Sequence, residues 1–341
     1  MKLISFTVPC YNSENYMRKC VDSLLRGGDD VEIIIVNDGS HDGTINIARE
    51  YEASYPNIVR VIDKENGGHG SGVNAGLAVA TGLYYKVVDS DDWVDGAALA
   101  ELIETIKAHS AAGTLPDLYI TDFVYYHAAD DTHHVSSYEK KFPVRKICGW
   151  EKVKAFKYSH MLLMHALMYK RDKLIESNTV LPEHTFYVDN LFAYKPLPFM
   201  KTVYYLDVQL YWYYIGREDQ SVNRNNFVKR YPQQIRVMKC MVDSYTWREI
   251  KKMPRGLRKY MWHALEVIMM NTIYFTCAEN SPDRHVALKD LWQHVKKSDK
   301  ALYKKLRHRS YAFIVNYLPW GLRRFIMTVG YNILCRKVKL G

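Results

Sequence analysis

The chain has 341 residues, 48% of them hydrophobic, so it can bury a sizeable core in one large domain or two modest ones. Six scattered cysteines without a Cys-x-x-Cys pair exclude a disulfide framework and a zinc ribbon, and they favour a reducing compartment. The net charge is +10, and the residues from 301 onward contain nine Lys and Arg but no Asp or Glu, so nearly all the excess charge lies in the last eighth of the chain.

The beginning of the chain is a strand-like run, Leu3–Val8, without the apolar core and cleavage site of a signal peptide. No uncharged apolar stretch reaches the ~18–20 residues that a membrane-spanning helix needs. These two observations predict a cytoplasmic protein.

The first 125 residues alternate between strand-like and helix-like patterns. Strands are predicted at Leu3–Val8, Val31–Val36, Ile58–Ile62, Leu83–Val88 and Leu118–Tyr125. Helices are predicted between them at Asn15–Leu25, Asp42–Tyr55, Gly72–Ala80 and Gly96–His109. Asp42 and Asp95 are placed to cap the second and fourth of these helices. The alternation predicts an α/β fold of Rossmann-like type, with a mostly parallel twisted sheet and helices on both faces.

Two later changes of pattern divide the chain into segments 1–115, 116–225 and 226–341. In the second segment the alternation breaks down and aromatic residues crowd together, which suits either stacking on sugar rings or packing in a core. These residues are Tyr204, Tyr205, Tyr211, Trp212, Tyr213 and Tyr214. In the third segment apolar residues recur at three-to-four spacing, which predicts helices at Arg230–Lys251, Leu257–Cys277 and His285–His308.

A polar cluster follows each of the first four predicted strands. The clusters are Pro9-Cys10-Tyr11-Asn12, Asn37-Asp38-Gly39-Ser40, Lys64-Glu65-Asn66-Gly67-Gly68 and Asp89-Ser90-Asp91-Asp92. Ligands of parallel sheets bind at the carboxyl ends of the strands, so we expect the four clusters to converge on one pocket.

The fourth cluster places Asp89 and Asp91 one residue apart, directly after a buried strand. Magnesium and manganese take such oxygen ligands together with substrate phosphates, and a divalent cation neutralises a diphosphate leaving group. The sequence therefore predicts a Mn²⁺ or Mg²⁺ site formed by Asp89 and Asp91, with Asp92 in support. An acidic helix N-terminus is the alternative interpretation.

Taken in order, the four clusters resemble family 2 glycosyltransferases with the GT-A fold. Val8–Glu14 matches the family's Pro-x-Tyr-Asn-x-Glu, and Ile35–Ser40 matches its Asp-Asp-Gly-Ser with Asn37 in the first Asp position. The Asn-x-Gly elements and the Asp-Ser-Asp-Asp element follow at Asn66–Gly68, Asn74–Leu77 and Asp89–Asp92. The resemblance is specific over residues 1–95, patchy to about residue 225 and absent beyond it.

The resemblance implies an inverting transferase that moves a sugar from a nucleotide-diphosphate donor, a UDP-sugar, to a hydroxyl acceptor in cell-surface polysaccharide or glycolipid synthesis. It assigns donor binding to Pro9, Tyr11, Glu14, Asp38, Asn66, Asn74, Asp89 and Ser90. Segment 1–115 then binds the nucleotide sugar, segment 116–225 binds the acceptor and carries the catalytic base, and segment 226–341 is a helical region with a basic tail.

One of these assignments is open to another interpretation, and one neighbouring position departs from the family pattern. Asp38 would accept from an N–H group of the base, although an ordinary Asx turn is the alternative. The family commonly has Arg just before the second Asn, where this chain has Val73. The positive charge for the donor phosphates must then come from elsewhere, with Lys64 as the nearest candidate.

The catalytic base of the family lies in a Glu-Asp pair before an aromatic-rich helix, matched here by Tyr187–Phe192. Val188 occupies the Glu position, which leaves Asp189 to take the proton of the acceptor hydroxyl. Glu183 is the second candidate, and a helix N-cap is the alternative role for Asp189.

A segment of the form Gly-Arg-x-x-Gln-Ser-Val, found in many family members, is matched by Gly216–Val222. The resemblance implies that Arg217 clamps the diphosphate, that Gln220 and Ser221 add hydrogen bonds, and that the loop orders over bound donor. A surface loop is the alternative. His160 and His165 are interpreted as structural.

Basic residues interleave with aromatic ones over residues 301–341, which is typical of a helix lying in an anionic membrane surface. Such a contact would place the enzyme beside a glycan or lipid-linked acceptor, peripheral to the inner face of the cell membrane. The alternatives are packing on the catalytic domain or on a second copy of the chain. Nucleic-acid binding is not expected, because the rest of the chain is balanced in charge and carries no such motif.

The motifs of two other classes of nucleotide-binding enzyme are missing from the sequence. A dehydrogenase needs Gly-x-Gly-x-x-Gly after the first strand, where this chain has Pro9–Asn12, and no Walker sequence exists. A nucleotidyltransferase and a non-catalytic sugar-nucleotide-binding module remain alternatives, although Asp89, Asp91 and Asp189 argue against the module.

Overall fold

A computed structural model describes residues 2–216, 229–278, 282–327 and 329 of the chain. The chain forms two compact units. The first comprises Met1–Lys154 and Leu162–Arg217, and the second comprises Ala155–Met161 and Glu218–Gly341. The first unit is α/β, and the second is helical.

The first unit begins with four mutually parallel strands, β1 (Ile4–Cys10), β2 (Val31–Asp38), β3 (Val59–Lys64) and β4 (Tyr84–Val87). Their order in the sheet is β3-β2-β1-β4. β1 and β2 are buried along their whole length, which explains why they consist of nearly continuous apolar residues. The predicted strands are confirmed at these positions to within two residues at each end.

Four helices connect or follow these strands, α1 (Met17–Leu25), α2 (Thr44–Ser54), α3 (His69–Val79) and α4 (Gly96–Ala111). The predicted cap of α4 is confirmed, since the Asp95 side chain accepts from the N–H of Ala98 at 2.9 Å. Asp42 lies just outside α2 and accepts from the N–H of Thr44 at 3.0 Å.

The helix α3 begins three residues before its predicted start, within the glycine-rich run. Glycine disfavours helix formation in isolation, so the sequence pattern hides this turn. Close packing provides the compensation, because a Cβ atom on Gly76 would lie 2.3 Å from the Thr7 side chain of β1. Small residues on α3 therefore let the helix approach the sheet.

The second half of the sheet mixes strand directions. It contains β5 (Trp93–Val94), β6 (Leu118–His127), β7 (Thr132–Ser136), β8 (Ile147–Gly149), β9 (Leu167–Lys170) and β10 (Thr202–Ile215). The sheet continues as β4-β9-β6-β10-β5, with β7 on β6 and β8 on β10. β6 and β10 are parallel, and the other pairings in this half are antiparallel. The α/β class is confirmed, with a parallel half and a mixed half.

Strands from both predicted segments 1–115 and 116–225 share this one sheet. β9 pairs antiparallel with β4, with Tyr84 opposite Lys170 and Tyr85 opposite Tyr169. The short helices α5 (Arg171–Glu176) and α6 (Asp189–Phe192) lie in the second segment. The sheet is continuous across residue 115 and shows no structural boundary there. The division of function at this residue therefore stays a prediction.

The aromatic residues of β10 divide between core and periphery. Tyr204, Tyr205 and Tyr211 are buried, whereas Trp212, Tyr213 and Tyr214 are half-buried. Core packing, the alternative to sugar stacking, therefore accounts for the first three.

The second unit contains α7 (Tyr231–Ser244), α8 (Trp247–Lys252), α9 (Arg255–Ala278), α10 (Arg284–Ser298), α11 (Lys300–Arg309) and α12 (Ala312–Tyr317). The predicted helical class is confirmed, but the predicted helix His285–His308 is two helices. Asp299 leaves the helical conformation at φ −152° and accepts from the N–H groups of Ala301 and Leu302, which starts α11. Among the described helices, none is both long and apolar enough to cross a membrane.

Candidate active site

The loops that follow β1, β2 and β4 meet at a pair of buried serines. The hydroxyl oxygens of Ser13 and Ser90 lie 2.8 Å apart. The N–H of Ser13 also donates to Oγ1 of Thr44, at the start of α2, at 2.7 Å. The expected convergence of strand ends is therefore found here, and Ser90, predicted to bind the donor, belongs to this buried network.

The three residues predicted to line the uridine differ in exposure. Tyr11 is 50% exposed, and its ring meets the ring of His41 edge-on at 6.5 Å. Glu14 accepts from the N–H of Gly43 at 2.7 Å, ahead of α2. Pro9 is buried against α3. Tyr11 and Glu14 are therefore exposed, and of the three Tyr11 offers the aromatic ring on which a nucleoside base can stack.

Asp38 is buried and organises the loop after β3. Its carboxylate accepts from the N–H groups of Gly67 at 2.9 Å and Gly68 at 2.7 Å, and from the Lys64 ammonium at 2.8 Å. Lys64, the candidate for the missing positive charge at the donor phosphates, is therefore engaged by Asp38. Recognition of the base by Asp38 stays a prediction.

The two asparagines predicted to lie along the nucleotide make backbone contacts. Nδ2 of Asn66 donates to the carbonyl of Asp38 at 2.8 Å. Asn74 binds the backbone of Leu181 on both sides, donating to its carbonyl at 2.8 Å and accepting from its N–H at 3.0 Å. Asn74 therefore holds a distant segment of the chain, a role that the sequence analysis did not assign to it.

The first residue of α3 faces the first carboxylate of the Asp-Ser-Asp-Asp turn. Nε2 of His69 lies 2.8 Å from Oδ1 of Asp89. Burial alone would raise the pKa of Asp89, but the nearby His69, His165 and Lys86 outweigh it and lower that pKa. Burial opposes protonation of His69, yet the facing carboxylates raise its pKa. The pair therefore favours an imidazolium beside a carboxylate.

Asp92, the last residue of the acidic turn after β4, is buried against residues of β10. The Tyr211 hydroxyl donates to one of its oxygens, and the N–H of Tyr214 donates to the other at 2.8 Å. Burial, together with the charges of Asp91 and Asp89, raises the pKa of Asp92 well above its usual range. The Asp92 carboxyl group therefore favours its protonated form unless a cation lies beside it.

Lys86, on β4, is fully buried beneath this turn. Its ammonium donates to the carbonyls of His165 at 2.5 Å and Leu167 at 3.3 Å. Burial lowers the pKa of Lys86 to about 7, although Asp89 acts in the opposite direction. The lysine therefore anchors the segment that carries His165.

The His165 ring lies between two aromatic rings, those of Tyr211 at 4.6 Å and Tyr213 at 4.8 Å. Burial lowers the pKa of His165 to about 4, so the imidazole is neutral near pH 7. Its Nδ1 atom is buried without a hydrogen-bond partner among the described residues. A neutral imidazole with an unpaired nitrogen has the state that metal binding requires.

One ligand atom each from Asp89, Asp92 and His165 lies within 4.8 Å of the others. This donor set of two carboxylates and one imidazole fits a divalent metal ion. The cluster differs from the prediction in two ways: Asp91 is not part of it, and His165, interpreted as structural, is. The backbone places Asp92 rather than Asp91 toward His165, which the spacing in the sequence does not reveal.

Asp189 is the first residue of α6, and its side chain does not cap that helix. Burial raises the pKa of Asp189 to about 6, with His69 lowering it and Asp89 raising it. The segment before it is tied to the glycine-rich loop, since the N–H of His184 donates to the carbonyl of Gly67 at 2.6 Å. The predicted base and the predicted metal-binding turn are therefore electrostatic neighbours.

The remaining predicted positions lie outside this cluster. Glu183, the second candidate base, is exposed and accepts weakly from Ser71 at 3.4 Å. Val73 and Val188, which replace charged residues of the family, are each 2% exposed and belong to the core. Arg217, Gln220 and Ser221 lie outside the described residues.

Comparison with known proteins gives a family for this fold and site. The sequence model of Glycosyl transferase family 2 matches residues 5–172, which include every strand-end cluster described above. The chain belongs to glycosyl transferase family 2. The expected family is confirmed.

A curated relative and solved structures extend the match. The protein EpsH of Bacillus subtilis (strain 168) is 30% identical over 244 residues, which cover 68% of this chain and 64% of EpsH. The chain therefore spans less than two thirds of that relative. S. aureus TarS 1–349 in complex with UDP-GlcNAc is 19% identical, with a TM-score of 0.64 over 96% of this chain and 89% of that one.

A mannosyltransferase from Pyrobaculum calidifontis in complex with GDP-Man and Mn²⁺ is 14% identical, with a TM-score of 0.53 over 98% of this chain and 85% of that one. At these identities the two structures establish the fold. The GT-A fold expected for family 2 is confirmed, including the helical region that follows it.

Three side chains of the site were missed or misread from the sequence. His69 follows the third strand within the glycine-rich run, so the strand-end rule was sufficient to find it. Lys86 breaks an otherwise apolar strand, and a charge in such a run is a signal of a paired buried group. His165 lies in a segment without periodicity, so the sequence offered no comparable signal.

Proposed function

We propose that this chain transfers a sugar, with inversion, from a nucleotide-diphosphate donor to a hydroxyl acceptor, and that Asp189 is the general base. The observation that carries the proposal is the position of Asp189 beside the Asp89–His69 pair, with its pKa raised to about 6. A carboxylate with that pKa is ionised at neutral pH and is a stronger proton acceptor than an ordinary aspartate.

The residues around Asp189 define how the proton is handled. Asp189 takes the proton from the acceptor hydroxyl as that oxygen attacks the anomeric carbon in line with the leaving diphosphate. Burial raises the pKa of Asp189, His69 lowers it and Asp89 raises it. The balance leaves Asp189 ionised at neutral pH but more basic than an ordinary aspartate. The ionised base ends the step protonated.

Asp89, Asp92 and His165 would hold a divalent metal ion. When bound, the ion supplies positive charge to the diphosphate as the bond to the sugar breaks. The imidazole favours Mn²⁺ over Mg²⁺, because Mg²⁺ prefers oxygen ligands alone. Asp91, half-buried beside this cluster, remains a proposed contact on the donor side of the ion.

UDP is the proposed nucleotide. S. aureus TarS, a neighbour of the same fold, is known in complex with UDP-GlcNAc, and the half-exposed ring of Tyr11 offers a stacking surface for the base. Asp38, Asn66, Asn74, Ser90, Pro9 and Glu14 would form the walls and loops of this donor site.

The proposed acceptor is a glycan or lipid-linked hydroxyl in cell-surface polysaccharide or glycolipid synthesis, reached by peripheral contact with the inner face of the cell membrane. Exposed apolar side chains are concentrated near the basic C-terminal region: Tyr311, Phe313, Tyr317, Leu322, Phe325, Ile326 and Val329. Apolar and basic groups together suit the interface of an anionic bilayer.

Thermal unfolding with a panel of nucleotide sugars, each with and without Mn²⁺, tests the proposal. A ligand that binds only the folded state raises the midpoint of unfolding, and the free energy of stabilisation increases with the logarithm of the ratio of free ligand concentration to Kd. We expect stabilisation by UDP and a UDP-sugar that depends on Mn²⁺. The absence of any metal-dependent shift would contradict the proposed donor site.

A further inference from the structure

The second unit contains a cavity of about 460 Å³ that lies wholly within its C-terminal helices. One face of α10 supplies six of the lining residues at helical spacing, and α11 and residues 320–323 supply the rest. They are His285, Leu288, Lys289, Trp292, Gln293, Lys296, Tyr303, Arg307, Trp320 and Arg323. Cavities of this size accommodate a small organic ligand.

The lining carries four permanent cations and no carboxylate. Within the part of the chain that the structure describes, Lys289, Lys296, Arg307 and Arg323 form no ion pair with Asp or Glu. Asp290 of α10 is not among the lining residues, and it pairs instead with Lys239 of α7 at 2.5 Å. The positive charge of the cavity is therefore uncompensated by the described residues.

Two indole N–H groups of the lining are also unused. Nε1 of Trp292 and Nε1 of Trp320 are buried without a hydrogen-bond partner among the described residues, and Trp292 as a whole is 7% exposed. Nε of Arg323 is likewise buried without a hydrogen-bond partner among the described residues. Buried donors without acceptors are unfavourable, so three of them around one cavity call for an acceptor that the protein does not provide.

The guanidinium groups of Arg307 and Arg323 are oriented by hydrogen bonds to residues 316–318. Arg323 donates to the carbonyls of Asn316 at 2.9 Å and Leu318 at 3.2 Å, and Arg307 donates to Oδ1 of Asn316 at 3.3 Å. Arg307 also lies over the Trp292 ring at 4.9 Å. Two oriented guanidinium groups with indole N–H donors form a pre-organised site for a multivalent oxygen acceptor.

We propose that this cavity binds a phosphate group carried by an organic ligand. Phosphate offers several anionic oxygen acceptors, which matches the four cations and the unpartnered donors. Leu288 and the aromatic rings leave an apolar wall for the carbon part of the ligand, which inorganic phosphate would not use. The phosphate belongs either to a soluble phosphate ester or to a lipid headgroup. This site is separate from the proposed donor site and does not rest on the proposed function.

Titration calorimetry of the full chain with sn-glycerol 3-phosphate and with inorganic phosphate tests the site. The variant Lys289→Gln/Lys296→Gln removes two cations at the mouth of the cavity. Its matched control, Lys297→Gln/Lys300→Gln, removes two exposed cations outside the lining, so both variants have the same net charge. We expect glycerol 3-phosphate affinity to fall at least about tenfold in the first and to change less than about twofold in the second.

Trp320→Phe keeps an aromatic ring and the net charge of the protein but removes one unpartnered N–H. We expect this variant to bind glycerol 3-phosphate a few-fold more weakly. Co-sedimentation with phosphatidylglycerol and phosphatidylcholine vesicles distinguishes the two sources of phosphate. Binding to the anionic vesicles that glycerol 3-phosphate displaces identifies a lipid headgroup. Binding of glycerol 3-phosphate without such displacement identifies a soluble ester.

Two results would overturn the proposal. One is an equal loss of affinity in the pocket variant and its control, which would indicate diffuse charge attraction. The other is the absence of binding to glycerol 3-phosphate and to the anionic vesicles alike. UDP-dependent thermal stabilisation, measured in the same variants, should be unchanged, so a failure here is distinguishable from a failure of the donor site.

Discussion

Nε2 of His69 lies 2.8 Å from Oδ1 of Asp89, which joins the glycine-rich loop after β3 to the acidic turn after β4. The contact orients a carboxylate that we propose as a metal ligand, and the charge of His69 acts to lower the pKa of both Asp89 and Asp189. Loss of a group that orients a metal ligand in this way typically lowers metal affinity or activity about 10–100-fold.

We expect His69→Asn to lower Mn²⁺ affinity or turnover about 10–100-fold, because Asp89 loses its orienting partner. Metal titration followed by UDP-dependent thermal stabilisation measures this effect. His134→Asn, at an exposed position of β7, is the control and should behave as the unchanged chain. Equal behaviour of the two variants would show that the His69 contact has no role in metal binding.

Asp189→Asn should retain UDP binding and lose about 10²–10⁴-fold in transfer rate, because the amide cannot accept the proton from the acceptor hydroxyl. Radiolabel transfer and calorimetry with UDP measure the two properties separately. Glu183→Gln tests the other carboxylate that the sequence offered, and it should keep full activity. Retained turnover in Asp189→Asn would remove this residue as the base.

The rate should rise with pH through about 6. The pKa of Asp189 is raised by burial to about 6, and the base acts in its ionised form, so activity is lost as the pH falls below that value. A plot of kcat/KM against pH should fall about tenfold per unit on the acid side. A profile that stays flat between about pH 5 and 7 would contradict the assignment of this pKa to the base.

His165→Phe should weaken Mn²⁺ binding at least about tenfold while leaving the fold intact, since a ring remains between Tyr211 and Tyr213. The thermal shift produced by Mn²⁺ with UDP is the measurement, and far-ultraviolet circular dichroism checks the fold. His133→Phe, on the exposed face of β7, is the matched control. Unaltered Mn²⁺ dependence in His165→Phe would exclude the imidazole as a ligand.

Phe313→Ser/Phe325→Ser should weaken binding to anionic vesicles at least about tenfold, because a buried Phe side chain contributes about 1.5–3 kcal/mol relative to an exposed one. Both residues are exposed, Phe313 by 46% and Phe325 by 65%. Val286→Ser, at a position 67% exposed outside this region, is the control. Vesicle co-sedimentation unaffected by the Phe substitutions would contradict the membrane contact.

The predictable part of the fold was the part with local signals. β1 to β4 consist of apolar runs ended by polar residues, so their positions in the chain and the convergence of their ends followed from the sequence alone. The boundary between α10 and α11 was missed although Asp299 is a typical N-cap residue, because apolar spacing continues across it.

The unpredicted part depends on contacts between distant residues. His165 becomes a candidate ligand because Lys86, 79 residues away, binds its carbonyl, and because β10 supplies the flanking rings. Asn74 and Asp38 were assigned to the nucleotide, yet each is engaged by backbone groups that local sequence does not identify. A residue's chemistry can be predicted from its type, but its partner depends on tertiary packing.

The side-chain amide of Asn74 binds the backbone of Leu181, 107 residues later in the chain, so this contact can form only after both segments have been synthesised. During synthesis, β1 to β4 and the acidic turn emerge long before the segment that carries Asp189. The parallel strands can therefore pair while the proposed base is still missing, and the long-range contacts of the segment that carries it form afterwards. If Asp189 is the base as proposed, transfer activity should appear only after this later step, since residues 1–115 alone lack the proposed proton acceptor.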